Sequence, residues 1–184
     1  FVGGLSFYGI HIWWLTVYLG LVPWIALTAA QMVFFALGFM GLTLVWRYVA
    51  AAWSGVFGQL VGVPAALAGV WVAREGIAAV WPFGGFAWAR LAQSQSETPL
   101  THLVAWVGVS GFSFIIAWLS AAAIMLWLEL RLGLLARATL AVSIVTALVV
   151  WPSFPVDYTG TLRIAGIQGN ADAGLFANYS RGDN

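Results

Sequence analysis

The sequence predicts an all-α polytopic membrane bundle followed by the start of a soluble domain. Three observations predict it. Hydrophobic residues make up 62% of the 184 and charged residues only 7%, with a mean hydropathy of +0.95, whereas a soluble domain carries about 25% charge. The apolar residues gather into about five stretches near the roughly 20 residues that cross a bilayer. The composition then changes abruptly at Pro152-Ser153-Phe154-Pro155, beyond which polar residues and glycine dominate.

The first span, residues 2–19, ends near Pro23, and the second, 24–46, is closed by Arg47-Tyr48; neither contains Asp, Glu, Lys or Arg. The third, 57–80, bears Arg74-Glu75 near its end and stops at Trp81-Pro82-Phe83-Gly84-Gly85-Phe86, because proline and glycine break helices. Within it, Gly58, Gly62 and Ala66 put small residues on one face, where a neighbouring helix could approach closely. The fourth, 100–128, is long enough to tilt, and Glu129, Arg131 and Arg137 separate it from the fifth, 140–151. Residues 1–152 are thus expected to form the bundle and 153–160 a linker. Leu162 to Gln168 reads as a strand followed by loop residues Gly169 to Gly174. One strand cannot satisfy its own ladder, so 161–184 is expected to begin a domain that continues beyond Asn184, and Phe1, with no initiator Met or basic leader, reads as an internal start.

Short cytoplasmic loops are enriched in Lys and Arg. Arg47 lies between the second and third spans, and Arg131 and Arg137 between the fourth and fifth, whereas Arg90 is balanced by Glu97. The first two loops are therefore expected inside and the C-terminus outside.

A net charge of +1 gives no field to attract nucleic acid. All seven basic residues are Arg and Cys is 0, so lysine and thiolate chemistry, including a retinal Schiff base, are excluded from this chain. No cofactor is expected. His11, His102 and scattered acids suggest no metal site.

The connection from Trp81 to Leu100 alternates aromatics with glycine, then with amides and one arginine. It fits an interfacial aromatic belt. It also fits a re-entrant or surface loop at a lipid headgroup, with Arg90 pairing a phosphate, Gln93 and Gln95 donating hydrogen bonds, and Trp88 beside them. Arg74 and Glu75, being consecutive, do not share a helix face; near a helix end they can snorkel to water, or serve the site as support. His11 reads as a hydrogen-bonded core histidine, His102 as a more exposed group able to touch a substrate, and Glu129 with Arg131 and Arg137 as a solvated loop.

Three stretches, in this order, resemble the apolipoprotein N-acyltransferase family. Phe7-Tyr8-Gly9-Ile10-His11-Ile12-Trp13 is similar to its aromatic and glycine-rich early span, with His11 where Asn is common. Arg74-Glu75, then Trp81 to Trp88 and Gln93-Ser94-Gln95, resemble its Glu, Gly-Phe-Pro-Trp and Ser-Gln run, with Ala87 in place of the usual Pro and Thr98-Pro99-Leu100 supplying the closing step. Leu162 to Asn170 looks like the first strand of the family's nitrilase-like αββα domain, with its Gln168-Gly169-Asn170 ending.

The resemblance implies N-acylation of the diacylglyceryl-cysteine of apolipoproteins from a membrane phospholipid, in a bacterial cell membrane. It also implies a Glu, Lys and Cys triad, expected beyond Asn184, so no catalytic residue is assigned here. The substrate-facing candidates are Trp88, Arg90, Gln93 and Gln95, with Arg74 and Glu75 in support. The competing expectation is a non-catalytic scaffold that anchors a partner enzyme such as a polyprenol-phosphate mannosyltransferase, to which some actinobacterial members are fused or bound.

Overall fold

The computed structural model describes residues 1–129, 131–156 and 160–166. They form six α-helices: α1 Val2–His11, α2 Leu15–Leu19, α3 Leu21–Ala52, α4 Val63–Val80, α5 Val104–Leu128 and α6 Leu134–Val149. The chain divides into two compact units, one including Phe1–Val33 and the other Phe34–Phe154, with α3 contributing to both.

In the first unit, the span expected over 2–19 is two short helices. In a continuous helix the Trp13 amide would donate to the Gly9 carbonyl. Instead the Trp24 indole takes that carbonyl at 3.1 Å, and the Trp13 amide falls back on Ile10 at 3.2 Å. The Thr16 hydroxyl then takes the Trp13 carbonyl at 2.8 Å, and Trp13 and Trp24 meet edge to face at 5.0 Å. At 10 residues, α1 reaches about 15 Å, half the thickness of a hydrocarbon core. His11 stacks on Phe7 at 5.5 Å.

The second unit is built on α4 and α5. α3 stops at Ala52, where Gln59 donates to the carbonyls of Ala50 and Trp53, both at 2.7 Å. A π-helical turn over Gly58–Gly62 then feeds α4, and the Trp118 indole of α5 donates to the Val61 carbonyl at 3.3 Å. Of the small residues Gly58, Gly62 and Ala66, the two glycines lie against Trp53: a Cβ on Gly58 would meet its Cβ and backbone, and a Cβ on Gly62 its indole. α5 is kinked at Gly108, and Trp106, before the kink, donates to the Pro152 carbonyl at 2.9 Å and packs edge-on against Phe154.

Three helical segments are long and apolar enough to cross a membrane: Leu21–Ala52, Gly58–Val80 and Thr101–Leu128. They correspond to the second, third and fourth expected spans. α6, at 16 residues, is shorter than a full crossing, so five spans reduce to three of spanning length among the described residues. Residues 160–166 lie in no strand, since a strand exists only with a ladder partner and no described segment supplies one. The expected motif Gln168-Gly169-Asn170 lies outside the described residues.

Candidate functional site

The second half of α4 places Trp71, Arg74 and Glu75 at i, i+3 and i+4, so Trp71 neighbours both charged residues although they do not neighbour each other. The Arg74 guanidinium lies over the Trp71 ring at 4.6 Å and faces Phe35 of α3 at 5.8 Å. Its stem crosses Gly38, where a Cβ would sit 2.5 Å from Arg74 Cδ. Trp71 Nε1 donates to Glu75 Oε1 at 2.8 Å. Snorkelling is therefore corrected: Arg74 is 7% and Glu75 6% exposed. Aromatic faces receive the cation, and a glycine makes room for its stem.

Glu75 also reaches forward. Its Oε1 accepts the Leu91 amide at 2.9 Å, tying α4 to the connection that follows it. That connection leaves α4 through a bond from the Phe86 amide to the Ala78 carbonyl at 2.7 Å and shows Trp88, exposed and stacked on Phe86 at 6.4 Å. A 3-10 turn over Leu91–Gln95 follows, opened by the Arg90 amide donating to Gln93 Oε1 at 3.2 Å. The Ala92 amide is received by the buried Ser113 hydroxyl of α5 at 3.1 Å. Beneath the turn Ala92, Leu103 and Phe112 form the buried core. The Gln95 carbonyl accepts from the hydroxyls of Thr98 and Thr101, and His102 Nδ1 donates to the Pro99 carbonyl at 2.7 Å, which places the ring proton on Nδ1.

Arg90, Gln93 and Gln95 thus share one short turn, Trp88 stands two residues before it, and Glu75 holds it from below. Arg74 packs toward α3 instead. His11 belongs to the other unit and His102 is engaged in its own turn. Sequence reasoning missed Trp71 and Ser113. Trp71 was legible as the i−4 neighbour of a buried acid, whereas Ser113 lies 21 residues from its partner and left no local signal. The turn offers an exposed amide, a half-buried guanidinium and an indole, a set that can hold a phosphate or an ester carbonyl. Its one hydroxyl, that of Ser94, donates to the Leu91 carbonyl at 2.7 Å. No cluster of three metal-ligating side chains occurs among the described residues.

The other end of the second unit has a different acid. Glu129, just past α5, is 6% exposed and accepts from the Arg131 amide and from Arg131 Nε at 3.0 and 2.7 Å, while its second oxygen takes Nη2. Arg131 Nη1 continues to the Ser54 carbonyl at 3.2 Å, joining two loops. The loop expected to be solvated is exposed at Arg131 and 133–136, but its carboxylate, Glu129, is buried under an ion pair. Hydrogen bonds from Arg131 hold the Glu129 carboxyl below its ordinary value. Beside it lies a cavity of about 460 Å³ lined by Ala50, Ser54, Gln59, Met125, Glu129 and Arg131.

Residues 1–122 match the apolipoprotein N-acyltransferase N-terminal domain family. An apolipoprotein N-acyltransferase of Pasteurella multocida strain Pm70 is 42% identical over 41 residues, which are 22% of this chain and 8% of that protein. The chain therefore aligns with less than a tenth of that curated relative's length. No solved structure matches.

Proposed function

Because the chain belongs to the apolipoprotein N-acyltransferase family, matched over its N-terminal domain, we propose that it is the membrane, lipid-handling part of an enzyme that N-acylates the diacylglyceryl-cysteine of apolipoproteins. The acyl donor is a membrane phospholipid. A cysteine thiolate takes the acyl group from the phospholipid ester as a thioester, releasing a lysophospholipid, and the lipoprotein α-amine then attacks the thioester and regenerates the thiol. This chain has neither Cys nor Lys, so those groups belong to a nitrilase-like domain that the stretch from 161 begins. Residues 1–152 form the bundle, 153–160 the linker, and the domain stands on the outer face of a bacterial cell membrane, opposite the arginine-bearing loops.

One observation supports this reading above the rest: the Leu91–Gln95 turn, with Arg90, Gln93 and Gln95, is fastened to α4 by Glu75 and to α5 by Ser113. A site that presents a phospholipid ester to a nucleophile must hold the headgroup at one depth, because small misplacements cost rate. A turn pinned at two backbone amides does that. Arg90 pairs the phosphate, Gln93 and Gln95 donate to the glycerol ester region, and Trp88 covers the lipid's upper chain segment.

The test is Trp88→Ala and Arg90→Ala in the intact enzyme at matched expression. Arg90→Ala is expected to lower acyl transfer about tenfold or more, the worth of one charge-assisted hydrogen bond, with membrane insertion unchanged. Full activity in both variants overturns the assignment.

A further inference from the structure

Phe83 is the most conspicuously exposed aromatic of the second unit, at 106% of its reference area, and its backbone is left-handed with φ +52. For a bulky residue that conformation is disfavoured, and glycine would adopt it freely. Glycines do occupy the next two positions, both at positive φ. The loop is also drawn tight: the Gly85 amide donates to the Pro82 carbonyl at 2.8 Å, and a Cβ on Gly85 would collide with the backbone of Ala79 and Val80. A tight turn folded back on its helix end pushes residue 83 outward, and a phenyl ring stands there in place of the hydrogen that the backbone would favour.

The neighbouring residues identify what the ring meets. Ile77 and Val80 share a helix face at i and i+3, Trp81 follows at the helix's C-terminal cap, and the three are 54%, 69% and 62% exposed. On a helix of spanning length such an apolar exposed strip faces lipid. Phe83 follows that strip three residues past the helix end, aromatic rings beside spanning helices commonly anchor at the interface, and no charged residue lies between Glu75 and Arg90. We propose that the 82–84 tip is a membrane-depth anchor, with the Phe83 ring inserted among the lipids just below the headgroups, and that it sets the depth at which the following turn sits.

Residues 1–184 contain no cysteine, so with any cysteine elsewhere in the intact protein changed to serine Phe83→Cys is spin-labelled at one position, and a side chain so exposed is replaced without unpacking anything. The protein is reconstituted into vesicles of phosphatidylethanolamine and phosphatidylglycerol, with Ile77→Cys as the lipid reference and Ser96→Cys as the water reference. The label at 83 is expected to collide with oxygen more often than with a water-soluble nickel chelate, as at 77, and opposite to 96. A label at 83 that favours the nickel chelate, or that is shielded from both reagents by protein, overturns the proposal.

Discussion

Two buried carboxylates, Glu75 and Glu129, sit near opposite ends of the Phe34–Phe154 unit and are held in different ways. Glu75 receives neutral donors that are themselves fixed, an indole one turn back on the same helix and a backbone amide 16 residues on. Glu129 receives one backbone amide and a flexible guanidinium, both of an arginine two residues away whose side chain is 54% exposed. A buried carboxylate needs full-strength partners in either case. Neutral, rigid donors lock geometry, whereas an exposed guanidinium supplies charge that water and salt can replace. The end bearing Trp88, Arg90, Gln93 and Gln95 is thus the one fastened by position, and the end bearing Arg131 is fastened mainly by charge.

The largest effect follows from breaking the positional anchor. Glu75→Ala leaves the Trp71 indole and the Leu91 amide as part-buried donors without an acceptor, at up to about 1–3 kcal/mol each. A clear fall in Tm in detergent is expected, together with faster hydrogen exchange at the Leu91 amide. Glu75→Gln keeps one carbonyl oxygen for both donors and should lose less. Equal losses in the two variants would show that the carboxylate charge, and not the acceptor geometry, holds the turn, and the contrast with Glu129 would fail.

Ser113→Ala removes the second anchor of the same turn and orphans one donor, the Ala92 amide, so the expected loss is about 1–3 kcal/mol. Exchange at Ala92 should rise while Leu91 stays protected. If both amides exchange together, the two anchors act as one unit and the turn opens as a whole.

How far these features were legible in the sequence depended on the distance over which the deciding contact acts. α3, α4 and α5 were legible because each is an apolar run, with Trp81-Pro82 and Glu129 marking where α4 and α5 stop, whereas α3 runs through Arg47-Tyr48 to Ala52. The break between α1 and α2 was not, because hydropathy counts apolar residues and is blind to an indole taking a carbonyl 15 residues away. The Arg90 to Gln95 set was found from composition and from resemblance, yet its fastening to Glu75 and Ser113 joins elements across 16 and 21 residues. Burial of Glu129 was hidden for a related reason. An acid beside two arginines in a polar break looks the same whether its ion pair is solvated or tucked against the Ser54 loop.

The smallest effect is at Glu129, and its pH dependence separates the two ends most sharply. Arg131 lowers the folded carboxyl below the ordinary value of 4.5. A group whose folded pKa is depressed contributes stability that is fully present above the unfolded value and is lost as the pH falls through the folded one. Tm should therefore gain nothing from this pair between pH 7 and pH 5, then fall on acidification below about 4.5. Arg131→Ala should flatten that acid limb and lower Tm at neutral pH by less than Ser113→Ala does, because half of the arginine is in water. Raising the salt concentration should reduce even that loss. An acid limb that persists unchanged in Arg131→Ala would mean that another carboxylate sets it, and the assignment of the charge-held end to this pair would have to be abandoned.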